Sequence, residues 1–308
     1  MSRGLFRRQI GPCALAGATA LSALALAVPA PAGAKISCEY QSLGAAGASG
    51  NRLQVTATSS TDQTELKTNG TDIKVADLNK GAVDCDGGVR PRITNVDEIH
   101  ITVAGSLAIS RMDGEFAPGV ENEPGAGDEI EMFAAGAGGV LTLVGYQGRD
   151  EFQLRGGSGD SSPRDHANLN AAQENVDDFD DLEFKGFAKV AVDAKSGNDK
   201  VINDATSPYA DPLTLVGGGG RDLLLAGPAA DRLLGGSGDD VLRGRGGGDR
   251  LVGEGGLDTL GGGAGNDVLR SSADGKRDNL LCGPGRDKAV ADGFDIRSDC
   301  ERPKPNHD

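Results

Sequence analysis

The chain has no tryptophan, and only three tyrosines and eight phenylalanines among 308 residues. Rings supply much of the buried area of a thick globular core, so a core of that kind is doubtful here. Glutamate is scarce as well, with 13 Glu against 33 Asp. Asp favours turns and Glu favours helices, which argues against a large helical domain. Basic residues are outnumbered 31 to 46, giving a net charge of −15. A nucleic-acid partner requires the opposite balance. The histidines are His100, His166 and His307, and no H-E-x-x-H occurs, so the zinc-protease motif is missing. No serine has glycine both two residues before and two after it, which removes the lipase nucleophile elbow. Many carboxylates remain, and a carboxylate-based secreted hydrolase stays as the alternative reading. The expectation is a protein that is not an enzyme.

Long apolar runs are confined to the start. Arg3, Arg7 and Arg8 precede an Ala- and Leu-rich stretch from Ala14 to Val28, then Pro29–Ala34 ends in an A-x-A pattern. Residues 1–34 read as a secretory signal peptide; the apolar stretch is shorter than the roughly 20 residues of a membrane span. The expected location is secreted, extracellular or cell-surface, with no membrane span after cleavage. The mature chain keeps Cys38, Cys85, Cys282 and Cys300. An even number in an exported protein points to disulfides, with three pairings open. Cys38–Cys85 with Cys282–Cys300 is the economical one, since each pair staples one end of the chain. No C-x-x-C spacing suggests zinc.

What the chain has in abundance is glycine, 49 residues of it, without the triplet period of collagen. From Gly217 to Arg270 the sequence divides into six nonapeptides: GGGGRDLLL, AGPAADRLL, GGSGDDVLR, GRGGGDRLV, GEGGLDTLG and GGAGNDVLR. Position six is Asp in all of them (Asp222, Asp231, Asp240, Asp249, Asp258, Asp267), and position eight is always Leu. A repeat of this register is structural. Glycine in the first half permits a tight turn whose carbonyls converge, and Asp adds a carboxylate there. The following x-Leu-x is one short strand with Leu inward. Two nonapeptides then make an 18-residue coil, and stacked coils form a thin Leu core between parallel strands.

This unit resembles the G-G-x-G-x-D-x-U-x repeat of the RTX (repeats-in-toxin, hemolysin-type) calcium-binding proteins, and GGSGDDVLR and GGAGNDVLR match it throughout. The resemblance implies an all-β, right-handed parallel β-roll or β-solenoid with several Ca²⁺ ions bound between successive turns on one side. Carried over by position, the ions pair Asp222 with Asp240 and Asp240 with Asp258, and opposite them Asp231 with Asp249 and Asp249 with Asp267. Backbone carbonyls of Gly217, Gly218, Gly220, Gly235, Gly236, Gly238, Gly244, Gly247, Gly253, Gly256, Gly262, Gly263 and Gly265 complete the sets. An all-oxygen shell is what Ca²⁺ prefers, and extracellular modules of this chemistry work at Kd of about 10⁻⁴–10⁻³ M. The resemblance further implies that calcium is required for folding, and that the protein is an extracellular structural or adhesion module with a cell-surface or envelope partner of unknown identity.

Departures from the pattern rank the sites. Ala226, Pro228 and Ala229 make the Asp231 turn the weakest, and Arg245 and Glu254 replace the second glycine of their units. After a two-residue insertion at Ser271-Ser272 the register resumes as ADGKRDNLL and CGPGRDKAV, adding Asp278 and Asp287. That ending resembles the terminal coil of exported actinobacterial RTX-like proteins, with Cys282–Cys300 as its clasp. Residues 217–290 are thus read as the roll, 291–300 as a cap and 301–308 as a tail.

Upstream, LTLVGYQGRD at 141–150 and VAVDAKSGND at 190–199 echo LTLVGGGGRD at 213–222, and Asp128-x-Ile130 is a poorer copy. Asp150 and Asp199 are metal candidates there, though their turns lack the full glycine set. The same solenoid is expected from about residue 95, in irregular coils with a polar insertion near 156–181; a separate β domain is the alternative. Residues 35–94 are expected to form a small disulfide-stapled β cap. The acidic run Asp177–Asp181 lacks EF-hand spacing and reads as a solvated loop.

Overall fold

Alternation of apolar and polar residues with period two runs through almost every segment, and it produces strands. The computed structural model describes residues 36–42, 51–69, 72–86, 90–92, 96, 98–111, 131–157, 165–168, 182–271 and 274–301. The expected signal peptide, Asp128-x-Ile130, the acidic run 177–181, most of the polar insertion and the tail after residue 301 lie outside them. Ala34–Asp308 form one unit. Among the described residues there is no helix, and so none long and apolar enough to cross a membrane.

Among the described residues strands alternate between two sheets, one of 14 strands and one of 11. In the C-terminal part the alternation is strict: Leu213–Gly219, Arg232–Ser237, Arg250–Gly255, Val268–Arg270 and Lys288–Val290 stack in parallel in the smaller sheet. Leu223–Leu225, Val241–Gly246, Thr259–Ala264, Asn279–Leu281 and Ile296–Ser298 do so in the larger one. Leu215, Leu233, Leu251 and Leu269 are in register, as are Leu224, Leu242, Leu260 and Leu280. These leucines are fully buried and form the core between the sheets. The fold is therefore an all-β solenoid built from parallel strands.

The earlier coils obey the same rule with longer connections. Val140–Val144, Lys189–Asp193 and Leu213–Gly219 stack in parallel, with Leu141, Val190 and Leu213 aligned. On the larger sheet Glu151–Arg155 pairs with Lys200–Asn203, and that strand with Leu223–Leu225. The insertion adds Asp165–Asn168, antiparallel to both Glu151–Arg155 and Leu182–Lys185, so the larger sheet widens there while the smaller one gains no strand. Parallel stacking begins well before residue 95. Asn51–Ala57 pairs in parallel with Glu98–Val103, and Gln63–Asn69 with Ser106–Arg111. Residues 51–69 are thus the first coil rather than part of a separate cap. Among the described residues the capping strands at this end are Ile36–Ser42, antiparallel to the first coil, and Asp72–Asp77, Gly81–Val83 and Cys85–Asp86. Two disulfides, Cys38–Cys85 and Cys282–Cys300, tie the two ends of the solenoid.

Candidate metal centre

Asp at position six and Leu at position eight are two residues apart, so in an extended segment both point to the same side. That side is the interior. Asp222, Asp231, Asp240, Asp249, Asp258, Asp267, Asp278 and Asp287 are each at most 5% exposed. Burying so many carboxylates is costly unless they are satisfied by donors or cations.

Half of each carboxylate is satisfied by the preceding coil. The Asp222 N–H donates to Asp240 Oδ1 at 2.8 Å, and the Asp240 N–H to Asp258 Oδ1 at 2.9 Å. On the opposite edge Asp231 donates to Asp249 Oδ1, and Asp249 to Asp267 Oδ1, both at 2.8 Å. Asp258 and Asp267 donate in turn to Asp278 and Asp287 at 2.8 and 2.9 Å. Two columns result, on the same-side pairing expected from the repeat. The first column extends beyond it at both ends, with Asp150 donating to Asp199, Asp199 to Asp222, and Asp278 to Asp295.

The other oxygen separates the turns into two kinds. Oδ2 of Asp199, Asp222, Asp240, Asp249, Asp258, Asp267, Asp278 and Asp287 is buried and has no hydrogen-bond partner. Oδ2 of Asp231 instead accepts the Gly227 N–H at 2.9 Å, and Oδ2 of Asp150 accepts the Tyr146 N–H at 2.7 Å. Except at Asp278, where Asp274 lacks positive φ, the difference follows the backbone conformation at position two. It has positive φ, as does position four, in the turns ending at Asp199, Asp222, Asp240, Asp249, Asp258, Asp267 and Asp287. The peptide is then rotated so that its N–H serves the next coil, as Gly263 N–H does in donating to the Cys282 carbonyl at 3.1 Å. Gly227 and Ala229, like Tyr146 and Gly148, lack positive φ, and the position-two N–H folds back onto its own carboxylate. Arg245 (φ 74°) and Glu254 (φ 68°) hold the left-handed conformation without being glycine. Arg245 Nη1 donates to the Asn203 carbonyl at 2.7 Å, which holds its side chain in place.

Glycine at these positions also permits close stacking. Gly236 and Gly238 have φ of 112° and 121°, and a methyl on either would strike the Gly218 or Gly220 carbonyl of the preceding turn. The Gly238, Gly247, Gly263 and Gly265 carbonyls abut Gly256, Gly265, Gly283 and Gly285 in the same way. At position one, Gly217, Gly235, Gly244, Gly253 and Gly262 lie against their own Asp carboxylates. A methyl on Gly217 would strike Asp222 Oδ2 and come within 2.7 Å of the Gly235 carbonyl oxygen. Carboxylate and carbonyl oxygens thus converge between stacked turns. Among the described residues no three His, Cys, Asp or Glu side chains cluster, so a shell here combines carboxylates with carbonyls, the hard-oxygen set that suits calcium.

Electrostatics point the same way. Burial pushes the Asp240 and Asp249 carboxyls up to about 7 and Asp258 up to about 6; neighbouring carboxylates add to the rise, and backbone N–H donors oppose it. Asp199 is likewise raised to about 7. Asp222, Asp231, Asp267 and Asp278 are raised by burial too. A cation between the turns favours the charged form that burial disfavours.

Sequence reasoning treated Asp150 and Asp199 alike, and the structure separates them. It also missed Asp295, which closes the first column. Burial tends to raise the Asp295 carboxyl, but hydrogen bonds from Ser271, Asp278 and Asp292, with Arg297 nearby, hold it below the usual range. The D-x-x spacing of Asp295-Ile296-Arg297 after Asp278-Asn279-Leu280 was the available sign.

A carboxylate column edging a parallel β-roll defines a class, the calcium-binding nonapeptide-repeat proteins. The family model of the RTX calcium-binding nonapeptide repeat matches residues 214–242 and 234–269, in four copies. Residues 214–269 accordingly carry RTX-type calcium-binding nonapeptide repeats. No curated protein and no solved structure matches the chain.

Proposed function

We propose that the protein is a secreted module whose roll folds around several Ca²⁺ ions and then serves a structural or adhesive role outside the cell. The observation that carries the reading is the set of buried Oδ2 atoms without a protein partner, placed beside glycine carbonyls of adjacent turns. Asp222, Asp240, Asp258 and Asp278 are the ligands assigned on one edge, and Asp249, Asp267 and Asp287 on the other. Asp231 contributes least, since both its oxygens accept backbone N–H groups. Two disulfides favour an oxidising compartment, in keeping with the signal-like first 34 residues.

An adhesive role is supported by the outer face of the smaller sheet. Arg232 and Arg250 are adjacent in register there, with Arg270 and Lys288 further along, all exposed and none in an ion pair. Such a face on a chain of net charge −15 suits an acidic envelope surface. No catalytic role is proposed. Circular dichroism of the chain with millimolar Ca²⁺ and then with chelator tests the reading, and the expected result is a calcium-dependent gain of β structure and thermal stability. Identical spectra and melting in the two conditions would sink it. Retention on intact producing cells, reduced by charge reversal at Arg232 and Arg250, tests the adhesive part.

A further inference from the structure

The calcium array has an N-terminal limit, and it does not coincide with the start of the repeat. Resting on the function proposed above, we infer that one more Ca²⁺ binds at the turn 194–199, with Asp199 Oδ2 as a ligand, and that this ion fastens the irregular coils to the roll.

Asp199 is 1% exposed, and its Oδ2 has no partner. The turn that carries it has the conformation of the regular turns although its sequence, AKSGND, does not match the glycine pattern. Lys195 at position two has φ 76° and Gly197 at position four φ 153°, where the next turn has Gly218 at 105° and Gly220 at 121°. The two turns also stack like regular neighbours. The Gly197 N–H donates to the Gly219 carbonyl at 2.6 Å, as the Gly220 N–H does to Ser237 at 2.7 Å. Methyls on Gly218 and Gly220 would strike the Lys195 and Gly197 carbonyls, repeating the relation of Gly236 and Gly238 to the turn before them.

One coil earlier the pattern stops. Tyr146 N–H fills Asp150 Oδ2, and neither Tyr146 nor Gly148 has positive φ. Asp199 is therefore the first carboxylate of its column with an unpaired buried oxygen, and Asp295, with Oδ2 taken by Ser271 and Asp292, is the last of the column without one. One feature lowers the affinity expected at Asp199. Buried Ala194 stands at position one, where the regular turns have a glycine packed on the carboxylate. Lys195 adds the strain of a left-handed residue that is not glycine. This ion is accordingly the last of the column to bind.

Equilibrium dialysis against Ca²⁺ on the full chain counts the ions. Asp199→Asn is expected to bind one ion fewer than wild type, Asp150→Asn the same number, and Asp240→Asn fewer. Lys195→Gly, which relieves the strained turn, should tighten the weakest binding step several-fold. If Asp199→Asn binds as many ions as wild type while Asp240→Asn loses calcium, the inference is overturned and the proposed function stands. A wild type that binds no calcium overturns the proposed function itself. Should Asp199→Asn fail to fold, hydrogen exchange on the wild type decides. Chelator is expected to speed exchange across Lys189–Asp193 and Lys200–Asn203 as well as across the roll; faster exchange in the roll alone overturns the inference.

Discussion

Two halves of one solenoid hold their coils together by different means. In the N-terminal coils several strands bury two or three apolar residues: Leu53, Val55 and Ala57 in one, Ile99, Ile101 and Val103 in the next, Leu107 and Ile109 opposite. Phe152 and Phe184 widen the core further, and Phe184 packs against Tyr209 with ring centroids 5.8 Å apart. In the roll a strand such as Leu223–Leu225 or Val268–Arg270 buries a single leucine. Each buried leucine is worth about 1.5–3 kcal/mol, so a roll coil with two of them, such as Leu233 and Leu242, gains less apolar stabilisation than an early coil with four or five buried apolar residues. It has instead a carboxylate column at each edge. On the function proposed above, the early coils stand on burial and the roll is completed by cations.

Removing the cations should break this comparison most sharply. With chelator, hydrogen exchange across Arg232–Ser237, Val241–Gly246 and Arg250–Gly255 is expected to approach that of an unfolded chain, while Asn51–Ala57 and Glu98–Val103 stay protected. Equal loss of protection in both halves would contradict the division. Two aspartates sharpen the contrast at single residues. Asp240→Ala should lower calcium stoichiometry and the cooperativity of folding. Asp231→Ala should change calcium binding little, yet destabilise by about 1–3 kcal/mol, because it strands the buried Leu213 and Gly227 N–H groups. Thermal melts of both variants in calcium and in chelator separate the two effects.

A pH titration comes next in size. In the metal-free roll the carboxyls of Asp240, Asp249 and Asp258 are raised, to about 7, 7 and 6, above the usual unfolded value near 4. A raised native value means the folded state holds protons that the unfolded chain releases. The metal-free roll is then most stable below about pH 4 and weakens as pH climbs through 6 to 7. Saturating calcium should abolish that decline. Chelated and calcium-loaded melts between pH 4 and 8 check it, and metal-free stability rising with pH would contradict the buried carboxylate columns. The smallest effect concerns Glu254, exposed and at φ 68°. Glu254→Gly is expected to raise calcium-loaded stability by about 1 kcal/mol through relief of the left-handed conformation. Gly236→Ala should act oppositely and more strongly, because a methyl there meets the Gly218 carbonyl.

The roll was legible because the residues that define it act locally. Asp at position six and Leu at position eight fix which side chains turn inward, so the 18-residue register follows from the period alone. The economical disulfide pairing was readable for the same reason, since each bridge closes an end. What stayed hidden depends on conformation rather than residue type. Lys195 adopts the glycine-like φ and Gly227 does not, so Asp199 has an unpaired oxygen where Asp231 has none. The start of stacking at Asn51 was hidden by spacing. Leu53 aligns with Ile99 across 46 residues, too far for a period to show, and only their pairing in three dimensions reveals the coil.

The aspartate ladder has a direction. The Oδ1 of each repeat Asp from Asp240 to Asp287 accepts the backbone N–H of the Asp one coil before it, and no such bond runs from the coil after. A rung lost at Asp258 leaves the amide of Asp240 bare, one coil toward the N-terminus, while the amide of Asp258 keeps its own acceptor on Asp278. Damage therefore travels upstream, against the order of synthesis. Each coil is finished only when the next one has been laid beneath it, and the Cys282–Cys300 bridge clasps the coil that finishes the repeats.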